Sequence, residues 1–220
     1  EAAFQKPCLA LPQSCRTSHS DYALISHIDD QVGQILRALE ESGKAEDTIV
    51  VFTSDHGENL GDHGRVAKGL WYDSSTRVPL IVRYPGHVQR GLRTDSLTEA
   101  VDLAPSLLDW CGIQQPPSMQ GRSFRPVAEN TGEREHRSSV FMEHGRHPKA
   151  KWKAVRTHEY LYCRKGDGEE HFYDLNDDPH QLTDLADEPG AADKRQLARK
   201  EMLDRLFDAE SVYPVPTGPY

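Results

Sequence analysis

The sequence predicts an α/β fold: a mostly parallel sheet flanked by helices, followed by a small antiparallel sheet with a helix of its own. Three observations carry this. A long helical repeat leads, through one polar turn, into a β-branched stretch. That stretch lacks apolar–polar alternation, as suits a strand covered on both faces. The last third of the chain then changes to short strand-like segments split by turns. With 220 residues, the chain can bury the core of one large domain or of a domain and a half.

Residues 1–20, rich in Pro, Ser, Gln and Cys and without periodicity, predict an irregular lead-in. From Asp21 to Ser42 the apolar residues Tyr22, Ile25, Ile28, Val32, Ile35 and Leu39 recur at helical spacing, and Gly43 stands at the stop. This predicts an amphipathic helix of about six turns. After the polar turn "GKAED", "TIVVF" predicts a buried strand, and "VPLIVRYPG", Val78 to Gly86, a second one closed by Pro-Gly. A helix is expected from about Glu99 to Trp110, with Pro105 near its first turn, Gly112 at its C-cap and Cys111 as a small core residue.

The charged, broken "ENTGEREHR" marks a boundary. The expected organisation is therefore a lead-in over 1–20, an α/β core over 21–135 and a small α+β subdomain over 136–220. In the last of these, "SSVFMEHG", "WKAVRTHEYLYCRK" and "EEHFYDL" predict short strands, with "GDG" at 166–168 as a turn. Ala192 to Ala209 predicts a helix on the spacing of Leu197, Met202, Leu203 and Leu206. The chain contains no internal repeat and no low-complexity tract.

A net charge of −9 leaves no overall basic footprint, which argues against a nucleic-acid partner. No apolar run approaches the roughly 18 residues of a membrane span. The chain opens with "EAAFQKP" and carries no export signal at that point, so the compartment stays open. Its four cysteines, Cys8, Cys15, Cys111 and Cys163, lack the paired spacing of a zinc site and the density of a disulfide scaffold. They read as ordinary thiols, with a Cys8–Cys15 bridge as the alternative in an exported protein.

The chemistry concentrates in "TIVVFTSDHGENLGDHGRVAKG", Thr48 to Gly69. Loops leaving the carboxyl ends of strands line the ligand crevice of an α/β sheet. Asp55 and His56 follow such a strand, and a carboxylate with an imidazole suits several divalent cations. The plain alternative is an Asx turn or helix cap. Three glycines in the ten residues from Asp55 let backbone approach a ligand closely. Lys68 then adds a cation, whose partner beside a bound metal would be a sulfate or phosphate ester; otherwise it is a solvated surface charge.

"TSDHGENLGDHGRVAKGLWYDSSTRVPLIVRYPG" resembles the metal-site segment of the formylglycine-dependent sulfatases of the alkaline phosphatase superfamily. "VDLAPSLLDWCGIQQPPSMQGRSFRPV" is similar to that family's later helix and loop, and "EEHFYDLNDDPHQLTDLAD" to its ending, in the right order over about residues 20 to 190. The resemblance implies an alkaline-phosphatase-like α/β/α sandwich and a sulfuric ester hydrolase. It makes Asp55 and His56 ligands of a divalent metal ion, usually calcium, with Asn replacing this His in some members. It makes Lys68 a sulfate contact, and gives His63 either a direct or supporting role or the task of ordering the loop. Arg77 is expected to be a structural ion pair or hydrogen-bond donor beneath the site rather than a catalytic group, and Asp29 and Asp30 solvated helix charges.

The family's C/S-x-P-x-R nucleophile motif is absent; "ALPQS" at 10–14 is the nearest approach. The resemblance thus points to the C-terminal half of a sulfatase, inactive alone, acting on a sulfate ester such as a sulfated carbohydrate once joined to the missing N-terminal half. Two alternatives stand beside it: a phosphonate or phosphate ester hydrolase of the same superfamily, and a truncated module that binds an anion or partner. The basic stretch "HGRHPKAKW", with His144, Arg146, His147, Lys149 and Lys151, is either a solvated loop or a rim that attracts anionic substrates.

Overall fold

The computed structural model describes residues 12–132, 135–145 and 150–209, with side chains from residue 21 onward. Cys8, the side chain of Cys15 and the basic residues Arg146, His147 and Lys149 lie outside the described residues. The chain divides into two compact units, Glu1–Arg90 and Gly91–Tyr220.

The first unit opens with α1 (Pro12–Glu41). It starts at Pro12 rather than Asp21, so residues 12–20 are helical and not irregular. Proline at the first helical position loses no bond, and each further residue adds one once a helix is nucleated, so polar, aperiodic residues can extend it. The stop is as predicted: Gly43 takes φ 71, and its N–H donates to the Glu40 carbonyl at 3.0 Å. The apolar stripe of α1 is not covered by the described residues. Tyr22, Ile25, Ile28 and Ile35 are exposed, Ile35 by 67%, while Val32 and Leu39 are half-buried. Asp29 and Asp30 are exposed as expected.

β1 (Val50–Thr53) and β2 (Leu80–Arg83) pair antiparallel, from Val50 opposite Arg83 to Thr53 opposite Leu80. The apolar run in "TIVVF" thus marks an element suited to burial without fixing its direction. The expected cover on both faces is also absent among the described residues, with Phe52 and Ile81 exposed, because a two-stranded ribbon has no further layer of its own. Arg83 Nη1 ties the ribbon back to the turn after α1 through the Ala45 carbonyl at 2.9 Å. Between the strands run a long loop and α2 (Asp73–Thr76).

In the second unit, Glu99 caps a single 3-10 turn, Ala100–Asp102, through a reciprocal capping box with Asp102. α3 (Leu103–Trp110) and α4 (Arg125–Ala128) follow. Asp102 is fully buried and gathers this unit around one carboxylate. It accepts from the backbone N–H of Glu99 (2.9 Å) and Arg122 (2.8 Å), from Arg137 Nε (2.8 Å) and Nη2, and pairs with His136 Nε2 at 3.0 Å. Cys111, expected in the core, is exposed. It is the C-cap of α3, beyond the last turn, where helical periodicity no longer decides which face is buried.

The predicted short strands form one antiparallel meander in the order β3 (Val140–His144), β4 (Trp152–Arg156), β5 (Tyr160–Lys165), β6 (Glu170–Asp174). "WKAVRTHEYLYCRK" splits at residue 157, where the Thr157 N–H donates to the Tyr160 carbonyl at 2.9 Å. Gly168 turns the next hairpin with φ 98. α5 (Ala192–Asp208) lies on this sheet, and Ala198 and Met202 join Val155, Tyr162 and Phe172 in its core. The buried pair is thus Ala198 and Met202, one turn apart, whereas Leu197 and Leu203 of the predicted stripe are exposed. No described helix is long and apolar enough to cross a membrane.

Candidate active site

The segment after β1 breaks out of the strand within two residues, because its side chains bond their own backbone. Ser54 Oγ donates to the His56 carbonyl at 2.9 Å, and the His56 N–H donates to Asp55 Oδ1 at 2.9 Å. These turns bring Asp55 and His56 to one side, with Asp55 Oδ2 and His56 Nε2 3.4 Å apart. His56 Nδ1 lies 3.0 Å from the Gly57 carbonyl. That contact assigns the proton to Nδ1 and leaves the Nε2 lone pair beside the carboxylate.

The Asp55 side chain is 83% exposed. Its carboxyl is held below the ordinary value, first by the His56 backbone N–H and to a smaller extent by the Lys68 charge. Lys68 is itself exposed. One carboxylate oxygen and one imidazole nitrogen on the same side, with the ring already oriented by a carbonyl, form a donor pair that fits a divalent cation. Carboxylate oxygen suits calcium while imidazole suits softer ions, so the pair does not select calcium. Among the described residues no group of three or more His, Cys, Asp or Glu is placed to hold a metal, so this pair alone does not complete a coordination shell.

Gly57 passes so close to α2 that its N–H donates to the Ser75 carbonyl at 2.8 Å. His63 sits in a left-handed turn, φ 53, and stacks on Tyr72 with ring centroids 3.6 Å apart and planes 7° off parallel. Arg77, expected as a structural ion pair or donor beneath the site, does form an ion pair, with Asp73 at 3.8 Å, but its side chain is 75% exposed rather than tucked beneath the site. Asp73 opens α2 and Arg77 is the residue that caps its end, one helical turn later, so the two side chains meet at the surface. In the second unit, His144 stacks on Trp152 with centroids 5.8 Å apart, and Lys151 is exposed.

Sequence reasoning passed over Asn59, Tyr72, Ser74 and Ser75. Asn59 is 1% exposed and bonded on both sides of its amide. A single polar residue in a glycine-rich loop leaves no periodic trace. The one available signal was the polar run "DSST" directly after an aromatic pair, "WY".

Residues 2–113 match the family model described as sulfatase, and residues 61–208 match that of N-sulphoglucosamine sulphohydrolase, C-terminal. The chain is 33% identical over 207 residues to an arylsulfatase of Clostridium perfringens, covering 90% of this chain and 42% of that protein. It is 30% identical over 202 residues to an N-acetylglucosamine-6-O-sulfatase of Bacteroides thetaiotaomicron, covering 88% of this chain and 36% of that one. Among solved structures, it superposes on the phosphonate monoester hydrolase of Agrobacterium radiobacter with a TM-score of 0.80 at 28% identity, covering 90% of this chain and 44% of the hydrolase. A protein solved with its substrate D-glucosamine-2-N,6-O-disulfate gives a TM-score of 0.78 at 28% identity, covering 84% and 39%. The chain spans about two fifths of the length of these relatives. Matched along most of its length in sequence and in fold, the chain belongs to the sulfatase family of the alkaline phosphatase superfamily.

Proposed function

We propose that this chain is the C-terminal part of a sulfate ester hydrolase, with sulfated carbohydrates as the substrate class. The observation that carries the reading is the Asp55–His56 pair, 3.4 Å apart at the end of β1, with the Lys68 charge acting on the same carboxylate. Asp55 and His56 are two ligands of the divalent cation, which is calcium by resemblance to the family. When bound, the cation supplies Lewis acidity to the reacting group. Lys68 donates to the sulfate oxygens and stabilises the charge that grows as the ester bond breaks. His63, locked against Tyr72, holds the loop on which Lys68 is carried. The nucleophile and the remaining ligands lie in the N-terminal half, which also covers the exposed apolar faces of α1 and of β1 and β2. The 220-residue chain alone should turn over neither para-nitrophenyl sulfate nor a phosphonate ester.

The test uses the complete enzyme. Lys68→Ala should lower kcat/KM for para-nitrophenyl sulfate by on the order of 10², about 3 kcal/mol, at unchanged metal content. Asp55→Ala should lower metal content and activity together. A Lys68→Ala enzyme with the wild-type kcat/KM removes the anion-binding half of the reading.

The likeness to the phosphonate monoester hydrolase, together with 30% identity to a multifunctional alkaline phosphatase superfamily protein of Trinickia caryophylli, favours a second reading, phosphonate or phosphate ester hydrolysis at the same site. A larger kcat/KM for a phenyl phosphonate ester than for the sulfate would decide for it.

A further inference from the structure

Asn59 is 1% exposed, in a loop whose other polar side chains mostly face water. A buried amide is tolerated only when bonded, and this one is bonded twice. Its Nδ2 donates to the Ala67 carbonyl at 2.6 Å, and its Oδ1 accepts from Ser74 Oγ at 2.7 Å. The Asn59 backbone N–H donates to the same Ala67 carbonyl at 3.2 Å.

Two features of this arrangement reach beyond loop stability. The Ala67 carbonyl belongs to the planar peptide unit that leads into Lys68, so two donors fixed on it fix the plane from which the lysine departs. Ala67 also takes φ 66, a left-handed conformation that its Cβ disfavours and that something must hold. On the other side, Ser74 is followed by Ser75, whose carbonyl accepts the Gly57 N–H at 2.8 Å and whose Oγ faces the Gly69 N–H at 3.4 Å. Gly57 directly follows Asp55 and His56. One buried amide therefore links the backbone carrying the candidate metal pair to the backbone carrying Lys68.

We infer that Asn59 is a positioning residue that sets the Lys68 ammonium relative to the Asp55–His56 pair. The inference rests on the reading of Lys68 as a sulfate contact only for its effect on turnover, not for its effect on the placement of the lysine.

The experiment is a double-mutant cycle in the full-length protein, with para-nitrophenyl sulfate as substrate. Asn59→Asp keeps the size and the acceptor for Ser74, but turns a carboxylate oxygen toward the Ala67 carbonyl. It should lower kcat/KM about tenfold, and should cost nothing further in a Lys68→Ala background, because groups that act through one another are not additive. Ala67→Gly added to Asn59→Asp should restore part of the loss, since glycine takes the left-handed conformation freely. Ser74→Ala, a milder change, should lower kcat/KM about threefold with the same dependence on Lys68, and serves if Asn59→Asp does not fold. The NMR signal of reductively methylated Lys68 should shift in both Asn59→Asp and Ser74→Ala. Losses that multiply with that of Lys68→Ala, or a wild-type kcat/KM in both variants, overturn the inference. If Lys68→Ala is itself neutral, the sulfate reading fails separately, and an unmoved Lys68 signal then overturns the positioning role.

Discussion

Adding one methyl group at Gly57 tests how tightly the strand end and α2 define the site. A Cβ built there lies 2.0 Å from the Ser74 carbonyl oxygen and 3.0 Å from the carbon behind it. Ordinary contact begins at 3.4 Å, so the backbone on one side or the other has to move by roughly 1.4 Å. Neither partner is the free end of a flexible side chain, and the 2.8 Å bond from Gly57 N–H to the Ser75 carbonyl must stretch as they part. Overpacking of this kind costs about 1–3 kcal/mol of stability. The larger effect should fall on activity. Asp55 and His56 are the two preceding residues, and a misplacement of about 1 Å at a reacting centre costs on the order of 10² in rate. The assay is kcat/KM for para-nitrophenyl sulfate in the complete enzyme, with metal content and the urea midpoint measured on the same sample. Gly190→Ala is the control, since its added Cβ meets nothing within 4 Å. A Gly57→Ala enzyme within twofold of wild type, like its control, would refute the reasoning.

Asp102→Asn leaves the buried Arg137 guanidinium facing an amide; it should cost about 3 kcal/mol in urea unfolding, the low end for a broken buried pair because Glu99 remains 3.4 Å from Arg137. Burial pushes the Asp102 carboxyl up, but the bonds from Arg137, His136 and the Arg122 and Glu99 backbone hold it well below the usual carboxylate range. A folded value below the unfolded one, about 3.9, stabilises the protein above that pH and is lost as pH falls toward the folded value. The gap between wild type and Asp102→Asn should therefore narrow as the medium is acidified below about pH 4, and a constant gap would count against the pairing. For the thiols, site-resolved alkylation should label the exposed Cys111 in the native protein and Cys163 only after unfolding, since full burial also pushes the Cys163 thiol up.

The parts of the fold legible in the sequence were those governed by local chemistry. Gly43 ended its helix where a left-handed residue was needed, and the turns after Arg156 and Lys165 separated the strands where polar residues and glycine cluster. The parts that were not legible depend on what lies opposite. The spacing in α1 identified an apolar stripe correctly but could not say that the described chain leaves Ile25 and Ile28 uncovered. In α5 the leucines drew attention, yet Leu197 and Leu203 are exposed and small Ala198 is the fully buried residue. At the candidate site, the order Asp-His-Gly after a strand marked Asp55 and His56, whereas Asn59 is defined by partners eight and fifteen residues away that no local pattern connects.

The meander has a bearing on how this part of the chain is made. Each of β3 to β6 pairs with its neighbour in sequence, so every hairpin can close as soon as its second strand leaves the ribosome, with short loops and little entropy to overcome. The face carrying Val155, Tyr162 and Phe172 nevertheless stays uncovered until Ala198 and Met202 arrive on α5, after all four strands. During synthesis the sheet therefore passes through an interval in which it is paired but half-wet, and that interval is when this region is most exposed to capture by chaperones or by other nascent chains.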